Sequence, residues 1–299
     1  MMVSPARRGT IPFLCGVFLI CMCSLMLQIV QTRVLSVIIH YYLAFFAVSM
    51  AMLGMTAGSL LVYFTPKLFP RERVLEHLAW IGSAFAISIA FSTLSLITTV
   101  IGSAVTNTIV MTIVVWFKMI LILLPPYVLA GMAISLALTR SPWPVGIVYG
   151  VDLVGAAWGC LLALLLLSWL DAISVLIAIG AFAALAALFF GLARRAMHRQ
   201  SPPPFTWSFL GRGRWPAALA VGFGAIALLN AAVQPTTQAG RAFGGLVLLL
   251  TKDGLEFGRP TVTRWNTYSR VMAFPDRVGP PVLWGPSPVT PHSTYRSAC

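Results

Sequence analysis

Long apolar runs alternate with short polar connections along most of the chain. Seven runs are long enough to matter: residues 11–30, 43–64, 77–100, 109–138, 146–170, 172–192 and 216–233. A helix needs about 20 apolar residues to cross a hydrocarbon core of ~30 Å. Each run is of that order, and the pattern predicts seven membrane-spanning helices. The fourth run exceeds one perpendicular crossing and carries Pro125–Pro126. Proline lacks the amide donor that a helix interior uses, so a kink, a tilt or a broken helix is expected there. The seventh run is the shortest. Pro216 suits a helix start, and Asn230 is its single strongly polar side chain. The first run follows Arg7 and Arg8 but is longer than a signal-peptide core and lacks a small-x-small cleavage site after it. It reads as the first span.

The pattern changes near Gln238. Residues 238–299 hold ten of the 27 charged residues and seven of the 20 prolines, so this is a polar tail and not another span. Residues 246–251 are apolar and run into Lys252-Asp253-Gly254, a hairpin turn signal. Residues 261–274 are rich in Thr, Val and aromatics and read as strand. The predicted organisation is an all-α polytopic membrane domain over residues 1–237 and a short β-rich tail over 238–299.

Composition agrees. Of the 299 residues, 59% are apolar and 9% charged, against about 25% charged in an average soluble domain. So little charge cannot coat a soluble globule of this size. The net charge is +13, but nucleic-acid binding is not inferred, because the basic residues cluster in the connections. With the N-terminus inside, Arg7, Arg8, Lys67, Arg71, Arg73, Arg140, Arg194, Arg195, Arg199, Arg212 and Arg214 all fall on the inner side. Arg33 is the one basic residue of the short connections left outside. Cytoplasmic loops carry this bias, so a plasma-membrane protein with a cytoplasmic N-terminus is expected. Seven full crossings put the tail outside; a re-entrant seventh run puts it inside.

Few residues offer chemistry. The five cysteines, Cys15, Cys21, Cys23, Cys160 and Cys299, have no histidine or acid spaced to complete a metal set, and no disulfide framework is indicated. Lys118 and Asp152 lie inside apolar runs, where a charge needs a partner or water. Helix rise puts them about 20 Å apart in depth, so they are not expected to pair. Asp152 is expected to meet a cation such as Arg140, and Lys118 either snorkels or serves an ion relay. Three glycine pairs, Gly54/Gly58, Gly146/Gly150 and Gly155/Gly159, have the four-residue spacing that lets membrane helices approach closely.

Three stretches, taken together, carry a likeness. The first is Thr32-Arg33-Val34-Leu35-Ser36-Val37, continuing through Tyr42–Ser49 to Leu53-Gly54-Met55-Thr56-Ala57-Gly58-Ser59-Leu60. The second is Tyr149-Gly150-Val151-Asp152-Leu153-Val154-Gly155-Ala156-Ala157. The third is Glu256-Phe257 followed by Arg264-Trp265-Asn266-Thr267-Tyr268-Ser269-Arg270-Val271. In this order they resemble the bacterial membrane-bound spermidine synthase-like proteins, in which a polytopic helical region is fused to an aminopropyltransferase-like domain. The likeness extends to about Pro288. It implies an inner-membrane location and decarboxylated S-adenosylmethionine as co-substrate. It also implies that Trp265, Asn266, Ser269 and Arg270 lie near the mouth of an active site; the alternative is that they only pack a β-unit.

Two departures stand out. The family often has an acid in its first span, where this chain has Gln28. The family's glycine-rich nucleotide loop and diamine-binding acids should follow the third stretch, but residues 289–299 contain no glycine and no acid. The tail's carboxylates are Asp253, Glu256 and Asp276 alone. A cationic diamine needs several converging carboxylates and an oriented, neutral amine. The expectation is a chain truncated before its catalytic domain and inactive alone, that domain being missing or separately encoded, with no catalytic residue and no cofactor of its own. A self-sufficient multi-pass transporter or a membrane anchor is the alternative.

Overall fold

The structure is a computed structural model that describes residues 5–38, 43–98, 109–197, 214–238, 246, 262–265, 270–273, 277–279 and 295–297. Seven helices account for the apolar runs: α1 Pro5–Ile38, α2 Leu43–Phe64, α3 Val74–Ile97, α4 Ile109–Arg140, α5 Val145–Trp169, α6 Ala172–Met197 and α7 Arg214–Gln238. All seven are long and apolar enough to cross a membrane. Helix ends follow local chemistry. A 3-10 turn at Arg71–Arg73, entered from extended Pro70, leads into α3. Extended Leu170 ends α5, and Asp171 caps α6 by accepting the Ser174 amide at 3.0 Å.

Side-chain partners fix the helix directions. Gly9 and Gly16 of α1 lie against Met197 and Phe190 of α6, so these two run antiparallel. Gly155 and Gly159 of α5 lie against Phe18 and Met22, so α5 runs parallel to α1. Gly54 and Gly58 lie against Tyr127 and Val128, so α2 and α4 run parallel. Gly82 meets Ala187, so α3 opposes α6. On α7, Phe223 reaches Gly180 and Asn230 bonds Ser174. Thus α7 lies antiparallel along α6 as far as the start of that helix. Successive helices alternate in direction, and the seventh run is a full crossing of the bundle.

The centre is α1 and α6. Phe13, Ile20, Met26 and Leu27 of α1 are buried, as are Leu176, Ile179 and Phe190 of α6, and small residues such as Ala183, Ala184 and Ala187 let the neighbours close in. At one end of the bundle Trp143, in the α4–α5 connection, stacks on Phe13 with centroids 4.0 Å apart and donates to Thr10 Oγ1 at 2.9 Å. Arg194 pairs with Glu76 at 3.4 Å at the same end.

Of the kink, tilt or break expected at Pro125–Pro126, the break is absent: α4 is a single helix of 32 residues, about 48 Å long at the α-helical rise. Prolines free carbonyls one turn earlier, and a membrane helix tolerates this where neighbours pack against it. Here Gly54 brings α2 onto the turn that holds the two prolines, beside Leu124 and Tyr127. The strand expected over residues 261–274 is instead a hairpin. β1 Val262–Trp265 pairs antiparallel with β2 Arg270–Ala273. A second pair joins β3 Arg277–Gly279 to β4 Tyr295–Ser297. The turn signal at 252–254 lies outside the described residues.

Candidate functional site

Polar side chains inside an apolar bundle are the places where chemistry or coupling can reside, because each must be satisfied from within. One such cluster spans three helices. Tyr127 on α4 donates its hydroxyl to Gln31 Oε1 on α1 at 2.8 Å, and Gln31 Nε2 donates to Ser92 Oγ on α3 at 3.2 Å. All three side chains are buried. Each is a neutral hydrogen-bonding group, so the cluster can fix the mutual register of α1, α3 and α4 but supplies no proton relay by itself.

A second cluster runs across the other end. The Ser174 hydroxyl donates to Asp171 Oδ1 at 2.5 Å and accepts from Asn230 Nδ2 at 2.8 Å. Burial pushes the Asp171 carboxyl above the usual aspartate range, and the hydrogen bonds from Ser174 oppose that shift. Asp171 lies in the connection between α5 and α6, beyond both apolar helices.

The residues singled out in the sequence do not converge. Lys118 is exposed on α4, pointing away from the bundle. Asp152 is half-buried on α5, close to the Cys21 thiol on α1. The expected Asp152–Arg140 pairing does not form: Arg140 donates to the Phe69 carbonyl at 3.5 Å, at the end of the bundle. Asp152 turns to Cys21 because Gly155 lets α5 close onto Phe18 and Cys21. Arg33 is half-buried on α1, and its Nε is buried without a hydrogen-bond partner. Two atoms in or beside the connections, His77 Nε2 and Ser141 Oγ, share that condition.

Of the tail residues, Trp265 in β1 is half-buried and packs against the helical core, and β1 lies on α5. Arg270 is its cross-strand partner in β2. Asn266 and Ser269 lie outside the described residues. The described residues contain no group of three or more His, Cys, Asp or Glu able to hold a metal. An apolar groove of about 360 Å³ on the flank of the bundle is lined by Leu14, Cys15, Phe18, Leu19, Val151 and Phe189. The pocket between α1, α4 and α6, lined by Val17, Ala133 and Phe190 among others, has no room for a water.

Sequence reasoning missed Gln31, Ser92 and Tyr127. Each is ordinary alone, and only the packing of three helices makes them a unit.

Fold and site together define a multi-pass helical membrane protein. Comparison with family models, with curated proteins and with solved structures found no match to the chain.

Proposed function

We propose that the chain is the membrane part of a bacterial spermidine synthase-like protein, seated in the inner membrane with its N-terminus in the cytoplasm. The observation that carries this reading is the order and identity of the three stretches around Gly54, Asp152 and Trp265. Their placement supports it. The second stretch lies on α5, and the third contributes Trp265 to the strand that packs on that helix. The orientation rests on the basic connections. Alternating helix directions gather Lys67, Arg71, Arg73, Arg140, Arg194 and Arg195 at one end of the bundle, as cytoplasmic loops require.

In this reading the helices hold and orient the tail, and aminopropyl transfer falls to residues beyond those of this sequence. Transfer breaks a carbon–sulfur bond of a sulfonium donor while a neutral amine attacks, and the amine must lose its proton to a base. Asp253, Glu256 and Asp276 are too few to bind a diamine and deprotonate it. The test is genetic. The DNA following codon 299, read in all frames, and the adjacent genes should encode a glycine-rich nucleotide loop followed by clustered acids. If neither does, the reading loses its ground. Purified chain given putrescine and decarboxylated S-adenosylmethionine should show no turnover, and clear turnover overturns the assignment of the chemistry elsewhere.

A further inference from the structure

We propose that Asn230 is a latch that captures the backbone of the tail and couples tail docking to the packing of α6 against α7. Asn230 sits near the far end of α7 and is 5% exposed. Its carboxamide grips Leu246 at two points. Oδ1 accepts the Leu246 amide at 2.5 Å, and Nδ2 donates to the Leu246 carbonyl at 3.3 Å. Nδ2 also donates to Ser174 Oγ on α6, and that hydroxyl in turn donates a hydrogen bond to Asp171 Oδ1. A primary amide offers a donor and an acceptor side by side, as a peptide group does. It therefore pairs with the amide and carbonyl of one residue much as a neighbouring strand would. The Leu246 side chain adds to the grip by packing against the helical core.

The arrangement is mutual. A buried carboxamide in an apolar helix needs partners, and removing one leaves the full desolvation cost uncompensated. With Leu246 in place, Asn230 is satisfied on both its oxygen and its nitrogen. With Leu246 gone, the oxygen loses its donor and the nitrogen keeps Ser174 alone. Tail docking and the α6–α7 contact thus stabilise each other, and a force that pulls the tail away is felt at Ser174 and at the start of α6.

The experiment is hydrogen exchange on the full chain reconstituted in phosphatidylethanolamine–phosphatidylglycerol vesicles, following backbone amides around residue 246. In the unaltered protein these amides should exchange slowly. In Asn230→Leu, which keeps the shape and removes both hydrogen-bonding functions, they should exchange about 5- to 150-fold faster, while peptides from the middle of α6 keep their protection. Should Asn230→Leu fail to fold, Leu246→Pro removes the captured amide and leaves Asn230 intact, and the flanking amides should accelerate in the same way. Equal exchange in the unaltered and variant proteins, whether fast in both or slow in both, overturns the latch.

Discussion

Gln31 is an uncharged residue on a largely apolar helix, yet it carries the bonds that tie three helices together. Tyr127→Phe removes the donor to Gln31 Oε1 and leaves a buried acceptor unpaired. Unfolding in mixed micelles should show a loss of about 0.5–2 kcal/mol, in the range measured for buried and intramembrane hydrogen bonds. Gln31→Leu combined with Tyr127→Phe should cost less than the two single changes summed, because each change removes the group that the other leaves unpaired. Strict additivity would show that the cluster does not act as a unit. Asp171 carries a pH prediction. Its folded-state pKa lies above the ordinary value of about 3.9, so folding favours the neutral acid. That contribution is complete below the ordinary value and is lost as pH rises through the folded one. Melting temperature should therefore fall across that acid window in the unaltered protein. Asp171→Asn keeps a cap-forming side chain and should flatten the fall; an unchanged profile in the variant would remove Asp171 as its source.

Among elements, the glycine pairs show what spacing can and cannot reveal. A Cβ on Gly58 would run into the Val128 carbonyl, and one on Gly131 into Met55 backbone. Gly58→Val or Gly131→Val should therefore push α2 and α4 apart and cost about 1–3 kcal/mol or more, since backbone cannot yield as a side chain can. Around Gly146 and Gly150 there is nothing within 4 Å. Gly146→Ala and Gly150→Ala should be neutral or slightly stabilising, because alanine is the better helix former. A thermal shift assay on the purified variants separates the two groups, and equal losses in both would contradict the α2–α4 crossing. The four-residue spacing was visible in the sequence for all three pairs. It tells which backbones permit approach, and only the fold decides whether a neighbour arrives. Helix positions were legible for a simpler reason. A run of 20 apolar residues follows from composition alone, whereas Gly131 and Ser92 gain meaning from residues far away in the chain. The sequence left open whether Pro125–Pro126 would kink, tilt or break α4, because the outcome depends on the helix that packs beside it.

For the whole molecule, an odd number of crossings separates the two termini of the bundle. Reporter fusions after Arg214 and after Gln238 should report opposite sides of the membrane, with Arg214 cytoplasmic. If both report the cytoplasm, α7 does not cross and the antiparallel register of Asn230 on Ser174 is wrong. This outcome also bears on function. A donor nucleotide is made in the cytoplasm, and a tail on the outer face is parted from it. The basic connections and the spermidine synthase-like reading therefore pull in different directions, and the two fusions separate them.

The central position of α1 has a consequence for biosynthesis. Helix α1 is synthesised before every helix it packs on, α2, α4, α5 and α6, and Gln31 finds its partners on α3 and α4. Parallel pairs such as α1 with α5, and α2 with α4, cannot form as simple hairpins while the chain emerges. For much of translation α1 must wait in lipid, or in the care of the insertion machinery, with a polar amide exposed to hydrocarbon. Insertion of the later helices completes the first one, so the nascent protein should be most vulnerable to quality-control proteases before α4 is in place.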